Sequence, residues 1–126
     1  MSELTSLEKA RIAAEAALGK AGQDIAVLDV RNVVSFADSL VIVTGRSDRQ
    51  VKAIADAVDQ ELSARGERPL GMEGYREGRW VLIDLVDVVV HVFQSEARQH
   101  YDLERLWSDS VRVELDLEDE SARSVV

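Results

Sequence analysis

Two short, nearly unbroken apolar runs constrain this chain most: Asp24-Ile25-Ala26-Val27-Leu28-Asp29-Val30 and Ser39-Leu40-Val41-Ile42-Val43-Thr44. Both are rich in β-branched residues, which suit an extended backbone. Neither alternates cleanly between apolar and polar side chains, so a strand built from either has no face to give to water. Such strands need cover on both sides, which points to a sheet between layers rather than a sheet with one wet face.

The remaining segments supply that cover. Residues 5–19 predict an amphipathic helix, with Leu7, Ala10, Ala14 and Leu18 on one face. Thr5 and Glu8 have the spacing of a capping box, and Gly19 and Gly22 flank the end. A second helix is marked by Ser47 as cap and Gln50 three residues on. Its stripe is Val51, Ile54, Ala55, Val58 and Leu62, and Gly66 closes it. Residues 69–74 suggest a short strand. Residues 80–84 and 87–93 predict two more strands, paired antiparallel across Leu85-Val86. Ser95 stands as the cap of a last helical stretch carrying Arg98, Tyr101, Leu103, Leu106 and Trp107, and residues 111–115 suggest a late edge strand. The expectation is a single α/β domain over residues 1–116, with a mixed β-sheet flanked by helices. Residues 117–126, which include Asp119, Glu120, Ser121 and Ser124, are expected to form an acidic flexible tail.

Composition excludes several function classes. With no cysteine, disulfides, thiolate metal sites and cysteine nucleophiles are ruled out. No run approaches the roughly 20 apolar residues that cross a bilayer. The opening Met1-Ser2-Glu3-Leu4 is acidic where export signals are basic, so a cytoplasmic protein is expected. The net charge is −9, and leaving out residues 112–126 removes five acids and two bases, so the remainder still carries −6. That field disfavours generic nucleic-acid binding and suits a basic protein partner.

Three places invite a chemical reading. Thr44-Gly45-Arg46-Ser47-Asp48-Arg49 joins a strand to a helix, where free amides and two arginines suit an anion. The full phosphate-cradling pattern is missing, and a tight turn with a capped helix is the commoner meaning. Asp84 and Asp87 form a metal pair only if a turn at Leu85-Val86 folds them together, and no third ligand is evident. His91 lies inside an apolar strand without a serine and acid in a nucleophile pattern, and His100 lies in the last helical stretch. No catalytic residue, cofactor site or metal site is assigned. The aromatic residues Tyr75, Trp80, Tyr101 and Trp107 gather in the C-terminal half near Met72 and Phe93, as core or as interface anchors.

Four ordered blocks give the chain a family likeness. They are Asp24 to Val30; Ala37 to Ser47 with Arg49-Gln50-Val51; Glu73-Gly74 with Trp80 to Phe93; and Arg98, Tyr101, Leu103-Glu104 and Leu106-Trp107. In order and spacing these resemble the ribosomal silencing factor family, also called Iojap-related, over roughly residues 7–108. One departure is Val86, where glycine is expected in many relatives. The resemblance implies a nucleotidyltransferase-like fold that has lost its catalytic motif. That motif needs a Gly-Gly or Gly-Ser pair and two acids two residues apart. Here Arg46 separates Gly45 from Ser47, and Asp84 and Asp87 are three apart. It further implies binding to the large ribosomal subunit through ribosomal protein fourteen. Joining of the small subunit would be blocked and translation damped when nutrients run short; a homodimer is compatible with the likeness. The expected contact residues are Met72, Glu73, Tyr75, Trp80, Asp84, Asp87, His91 and Tyr101. A tip at Leu85-Val86 would set Trp80 opposite His91, Leu82 beside Val89 and Asp84 beside Asp87. Two other readings compete: an enzyme of nucleotidyltransferase-like fold with an unrecognised acidic site, and an adaptor for a partner other than the ribosome.

Overall fold

The structure is a computed structural model that describes residues 4–101, Arg105 and residues 111–113. In chain order the elements are α1 (Ser6–Gly19), β1 (Gln23–Asp29), β2 (Ser39–Gly45), α2 (Asp48–Ala64), β3 (Gly71–Glu73), β4 (Trp80–Asp84), β5 (Val88–Gln94), α3 (Ser95–Tyr101) and β6 (Val111–Val113). They form one α/β unit on a mixed sheet, ordered β3-β4-β5-β2-β1-β6. The side chains of His100 and Tyr101 lie outside the described residues, as do Leu103, Leu106, Trp107 and the expected 117–126 tail.

At the centre, β2 and β5 run parallel, with Leu40 beside Val89 and Ile42 beside His91. Every other neighbouring pair is antiparallel. The helical connection through α2 therefore carries the chain from β2 to an edge strand, β3, that points the same way. All seven residues of β2 are buried, as the unbroken apolar run requires.

The two faces of the sheet have separate covers. On one, Val41, Val43, Val81, Ile83, Val90 and Val92 pack against α1 and α2. On the other, Leu40, Ile42, Val89 and Phe93 meet Ala97 of α3 together with Val30 and Ala37 of the segment after β1, with Trp80 and Leu82 packed at the margin. The α2 stripe is as expected from the sequence: Val51, Ile54, Ala55, Val58 and Leu62 are its buried residues. Its end forms a Schellman motif, in which the Gly66 and Glu67 amides donate to Ser63 and Leu62. Gly66 takes the left-handed conformation there (φ 84°).

The α1 face differs from expectation. Leu7 is 49% exposed, and the buried residues are Ala10, Ala13, Ala14 and Ala17 with Lys9. Small side chains let α1 lie close to the sheet and α2, a packing that ranking residues by hydrophobicity misses. Lys9 is drawn in by charge: its Nζ lies 2.7 Å from Asp87 and 3.3 Å from Glu67.

The β4–β5 hairpin departs from the expected register. Trp80 pairs with Phe93, Leu82 with His91 and Asp84 with Val89, a shift of two residues from the expected register. A two-residue loop at Leu85-Val86 needs positive φ at Leu85, or at both positions, which neither side chain favours. Instead, Leu85 N–H donates to Val88 and Asp87 N–H donates back to Leu85, a γ-turn with Val86 at φ 76°. Asp84 Oδ1 steadies the turn by accepting from the Val86 amide (2.9 Å). An even shift preserves which residues share a face, but it separates the two aspartates.

Positive φ is strained for a β-branched residue, by about 1–3 kcal/mol. Val86 is also 63% exposed, so little packing offsets that strain. Val86→Gly should therefore stabilise the fold by about 1 kcal/mol, read as a higher urea midpoint. A lower midpoint would show that the Val86 side chain matters more than its strain.

Candidate functional site

The expected contact residues fall into separate groups. Alternation along β4 sends Val81 and Ile83 to the helical face and Trp80 and Leu82 to the other. On β5, His91 and Phe93 share the Trp80 face. Three rings meet there: Trp80 stacks on Phe93 with centroids 4.9 Å apart, and the His91 centroid lies 5.8 Å from Trp80 and 5.9 Å from Phe93. The Trp80 Nε1–H donates to His91 Nδ1 at 3.0 Å. That bond needs a neutral imidazole with its proton on Nε2. His91 is 7% exposed, and burial pushes its pKa down to about 4, keeping Nδ1 available as an acceptor.

Glu73, at the end of β3, completes this corner. A cavity of about 230 Å³ is lined by Glu73, Gly74, Trp80 and Leu82. Gly74 (φ 80°) leads out of β3, and a Cβ on it would lie 2.0 Å from the Trp80 carbonyl oxygen. Glycine is therefore required for β3 to turn this close to β4. At the other side of the turn, the Gln94 side chain donates to the Gly78 carbonyl (2.9 Å) and its amide to that of Arg79 (2.9 Å).

Four residues lie elsewhere. Met72 points the opposite way from Glu73 and packs against the helical core. Tyr75 reaches α2, where its hydroxyl donates to Asp56 (3.0 Å) and Lys52 Nζ sits 5.9 Å over the ring. The hydrogen bond to the Asp56 carboxylate holds the Tyr75 pKa above its ordinary value. Asp84 ends β4 four residues from Trp80, about 13 Å away at the rise of a strand. Asp87 is bound to Lys9 on the helical side. The two aspartates serve separate contacts, so the expected carboxylate pair is not formed. Tyr101 closes α3, with its side chain outside the described residues.

Phe93 and Leu82 belong to the corner but were not expected there. The signal for Phe93 is its spacing of two from His91, which puts both rings on one face whatever the hairpin register. The strand-to-helix junction, meanwhile, is a capped turn. Ser47 Oγ accepts from the Gln50 amide (3.1 Å), and the Gln50 side chain accepts from Arg46 N–H and donates to the Lys20 and Ala21 carbonyls.

Residues 3–125 match the sequence profile of the family described as "Ribosomal silencing factor during starvation". This chain belongs to the ribosomal silencing factor family. Ribosomal silencing factor RsfS of Bacillus subtilis is 44% identical over 106 residues, covering 84% of this chain and 90% of that protein. RsfS of Chromobacterium violaceum is 42% identical over 100 residues, covering 79% and 82%. A crystal structure of a Chromobacterium violaceum protein superposes with a TM-score of 0.82 at 40% identity, covering 83% of this chain and 88% of that one. One from Bacillus halodurans gives 0.74 at 38%, covering 83% and 95%. Family membership thus extends over the β3–β4–β5 corner and both layers beneath it.

The buried imidazole makes stability depend on acid. In the folded protein His91 stays neutral down to about pH 4, whereas the unfolded chain protonates near 6.5. Between those values the unfolded state holds more protons, so stability falls as pH drops from 6.5 towards 4. At about 1.4 kcal/mol per unit the loss is about 3 kcal/mol. Urea midpoints of His91→Gln, which keeps an acceptor for Trp80, should vary less across this window than those of the parent. Equal slopes would show that other groups cause the acid sensitivity.

Proposed function

We propose that this protein binds the large ribosomal subunit through ribosomal protein fourteen, on the face that meets the small subunit. Binding there blocks subunit association and represses translation when nutrients are limiting. One observation carries the reading: in a chain that matches the silencing-factor family along nearly its whole length, Trp80 stands half-buried at a sheet margin beside an exposed carboxylate. A large ring held rigid by its neighbours is the kind of residue on which interface energy concentrates. The net charge of −9 suits a basic ribosomal protein, because complementary fields speed encounter.

The same reading makes the protein a binder rather than an enzyme. Arg46 interrupts the glycine–serine pair, and its amide and the Ser47 hydroxyl are engaged with Gln50. Asp84 caps a turn and Asp87 neutralises Lys9, so the two acids do not converge on a metal or a nucleotide. We place the contact at Glu73 and Trp80, with the buried His91 holding the Trp80 ring from beneath. Met72, Tyr75, Asp84 and Asp87 hold the fold around it, and a homodimer in the free state is compatible with this arrangement.

Sedimentation with separated subunits tests the reading. The protein should pellet with free large subunits, but not with small subunits or with preassembled ribosomes. Equal pelleting with both subunits, or with neither, would contradict it.

A further inference from the structure

The acid excess of the chain is not spread evenly. Residues 20–24, 46–52, 73–79 and 94–98 hold seven cations against five acids, whereas the rest of the chain holds eight against nineteen. The fold brings these four segments together around the start of α2. Gln50 accepts from the Arg46 amide and donates to the Lys20 and Ala21 carbonyls. Gly45 pairs with Gln94, whose amide donates to the Arg79 carbonyl. A Cβ on Gly78 would lie 2.8 Å from the Asp48 carbonyl oxygen, so the β3–β4 connection is pressed against the first turn of α2. One end of an acidic molecule is therefore locally basic, and the local field decides what can approach there.

Five side chains carry that charge to the surface: Lys20, Arg46, Arg49, Arg76 and Arg79 are all exposed. Arg46 is steadied by a neutral group. With its amide oxygen turned towards the guanidinium, Gln23 accepts from Nε (3.2 Å) and Nη2 (2.9 Å), which orients the fork without cancelling its charge. Arg98 lies half-buried behind them, donating to the Asp24 carbonyl and to the Thr44 hydroxyl (2.8 Å). Asp24, Asp48, Glu73, Glu77 and Glu96 weaken the local field, but among the described residues none of them forms an ion pair with the five exposed cations.

We propose that this basic end binds the phosphodiester backbone of RNA, beside the Trp80 contact. Arg79 directly precedes Trp80, so the two surfaces are continuous. Guanidinium forks match phosphates and carboxylates alike, and charge density separates the two. A nucleic-acid duplex carries condensed counterions, and each arginine–phosphate contact gains from their release; a sparsely charged acidic peptide offers no such gain. Backbone contacts position a protein without reading sequence, so the patch is indifferent to base identity. The net charge of −9 keeps binding to free RNA weak. The patch thus acts on a backbone already brought close by the neighbouring contact, where effective concentration is high. The inference goes beyond the preceding reading and holds whichever protein meets Trp80.

The test titrates the full chain against a short fluorescein-labelled RNA duplex, read by anisotropy at several salt concentrations. Saturable binding is expected at low salt. Log affinity should fall with log salt at a slope of about −3, the value for roughly three or four phosphate contacts. Arg46→Gln/Arg49→Gln/Arg79→Gln should lose about tenfold or more in affinity and most of the slope, with an unchanged melting temperature. Arg11→Gln/Arg65→Gln/Arg68→Gln removes the same charge elsewhere and should change both much less. No saturable binding at low salt, equal losses in the two triple variants, or displacement of the duplex by polyglutamate as readily as by unlabelled RNA would each overturn the proposal. Pelleting with large subunits separates the two levels. Duplex binding by a protein that does not pellet leaves the basic end standing and sinks the ribosomal reading, and pelleting without duplex binding does the reverse.

Discussion

The parallel pairing of β2 with β5 governs the rest of the structure. All seven residues of β2 are buried, and on β5 the six from Val88 to Phe93 are buried too. Strands without a solvated face must be covered twice, and the chain provides two unequal covers. Two long helices lie over one face. The other is covered by α3 and the segment between β1 and β2, which among the described residues pack over Leu40, Ile42, Val89 and Phe93 and leave Trp80 and Leu82 partly open. The candidate site is thus the margin of the second cover. Trp80 is held there by Phe93 and His91 and is half-buried.

A second tie lies at the opposite end of β4. Lys9 enters the interior from α1 and holds Glu67, just past α2, and Asp87, in the β4–β5 turn. Burial alone would lower its pKa, but hydrogen bonds and charge from Asp87 and Glu67 outweigh that and hold the pKa above 10.5. The charged form is therefore the stable one, and its contribution to stability is complete below pH 10.5 and fades as pH rises through the higher folded value. By engaging Asp87, this contact fixes the turn from which β5 starts, and so the register that sets Leu82 opposite His91 and Trp80 opposite Phe93. The acid-sensitive histidine and the buried lysine thus stabilise opposite ends of one hairpin, with losses at opposite ends of the pH scale.

Much of this was legible in the sequence because the layers depend on periodicity. The unbroken run at 39–44 announced a doubly covered strand, and the α2 stripe with its Ser47 cap and Gly66 ending could be read directly. The hairpin register could not. It depends on the backbone conformation of Val86, and positive φ at a β-branched residue is not a sequence signal. The α1 face was misjudged because alanine packs by closeness rather than by area. As for the site, Trp80 and His91 share a face as expected, although two residues out of the expected register, and Glu73 joins that face through its pairing with Leu82. Met72 and Tyr75 diverge because a strand sends neighbouring side chains to opposite faces and the Gly74 turn carries Tyr75 round to Asp56. Asp84 and Asp87 were brought together only by a turn that the chain does not make.

Whether the half-buried Trp80 belongs to the contact surface decides the proposed function. The direct measurement is large-subunit affinity and chemical stability on the same Trp80→Ala protein. Removing an interface anchor costs about 2 kcal/mol or more of binding, which is well over tenfold in affinity. Because the ring is only partly buried, its removal should cost clearly less stability than the roughly 3–5 kcal/mol of a fully enclosed aromatic. Binding weakened more than tenfold in a protein that still unfolds cooperatively, with a modest loss of stability, is the predicted result. Undiminished binding, or a loss of stability as large as that of a core tryptophan, would contradict it.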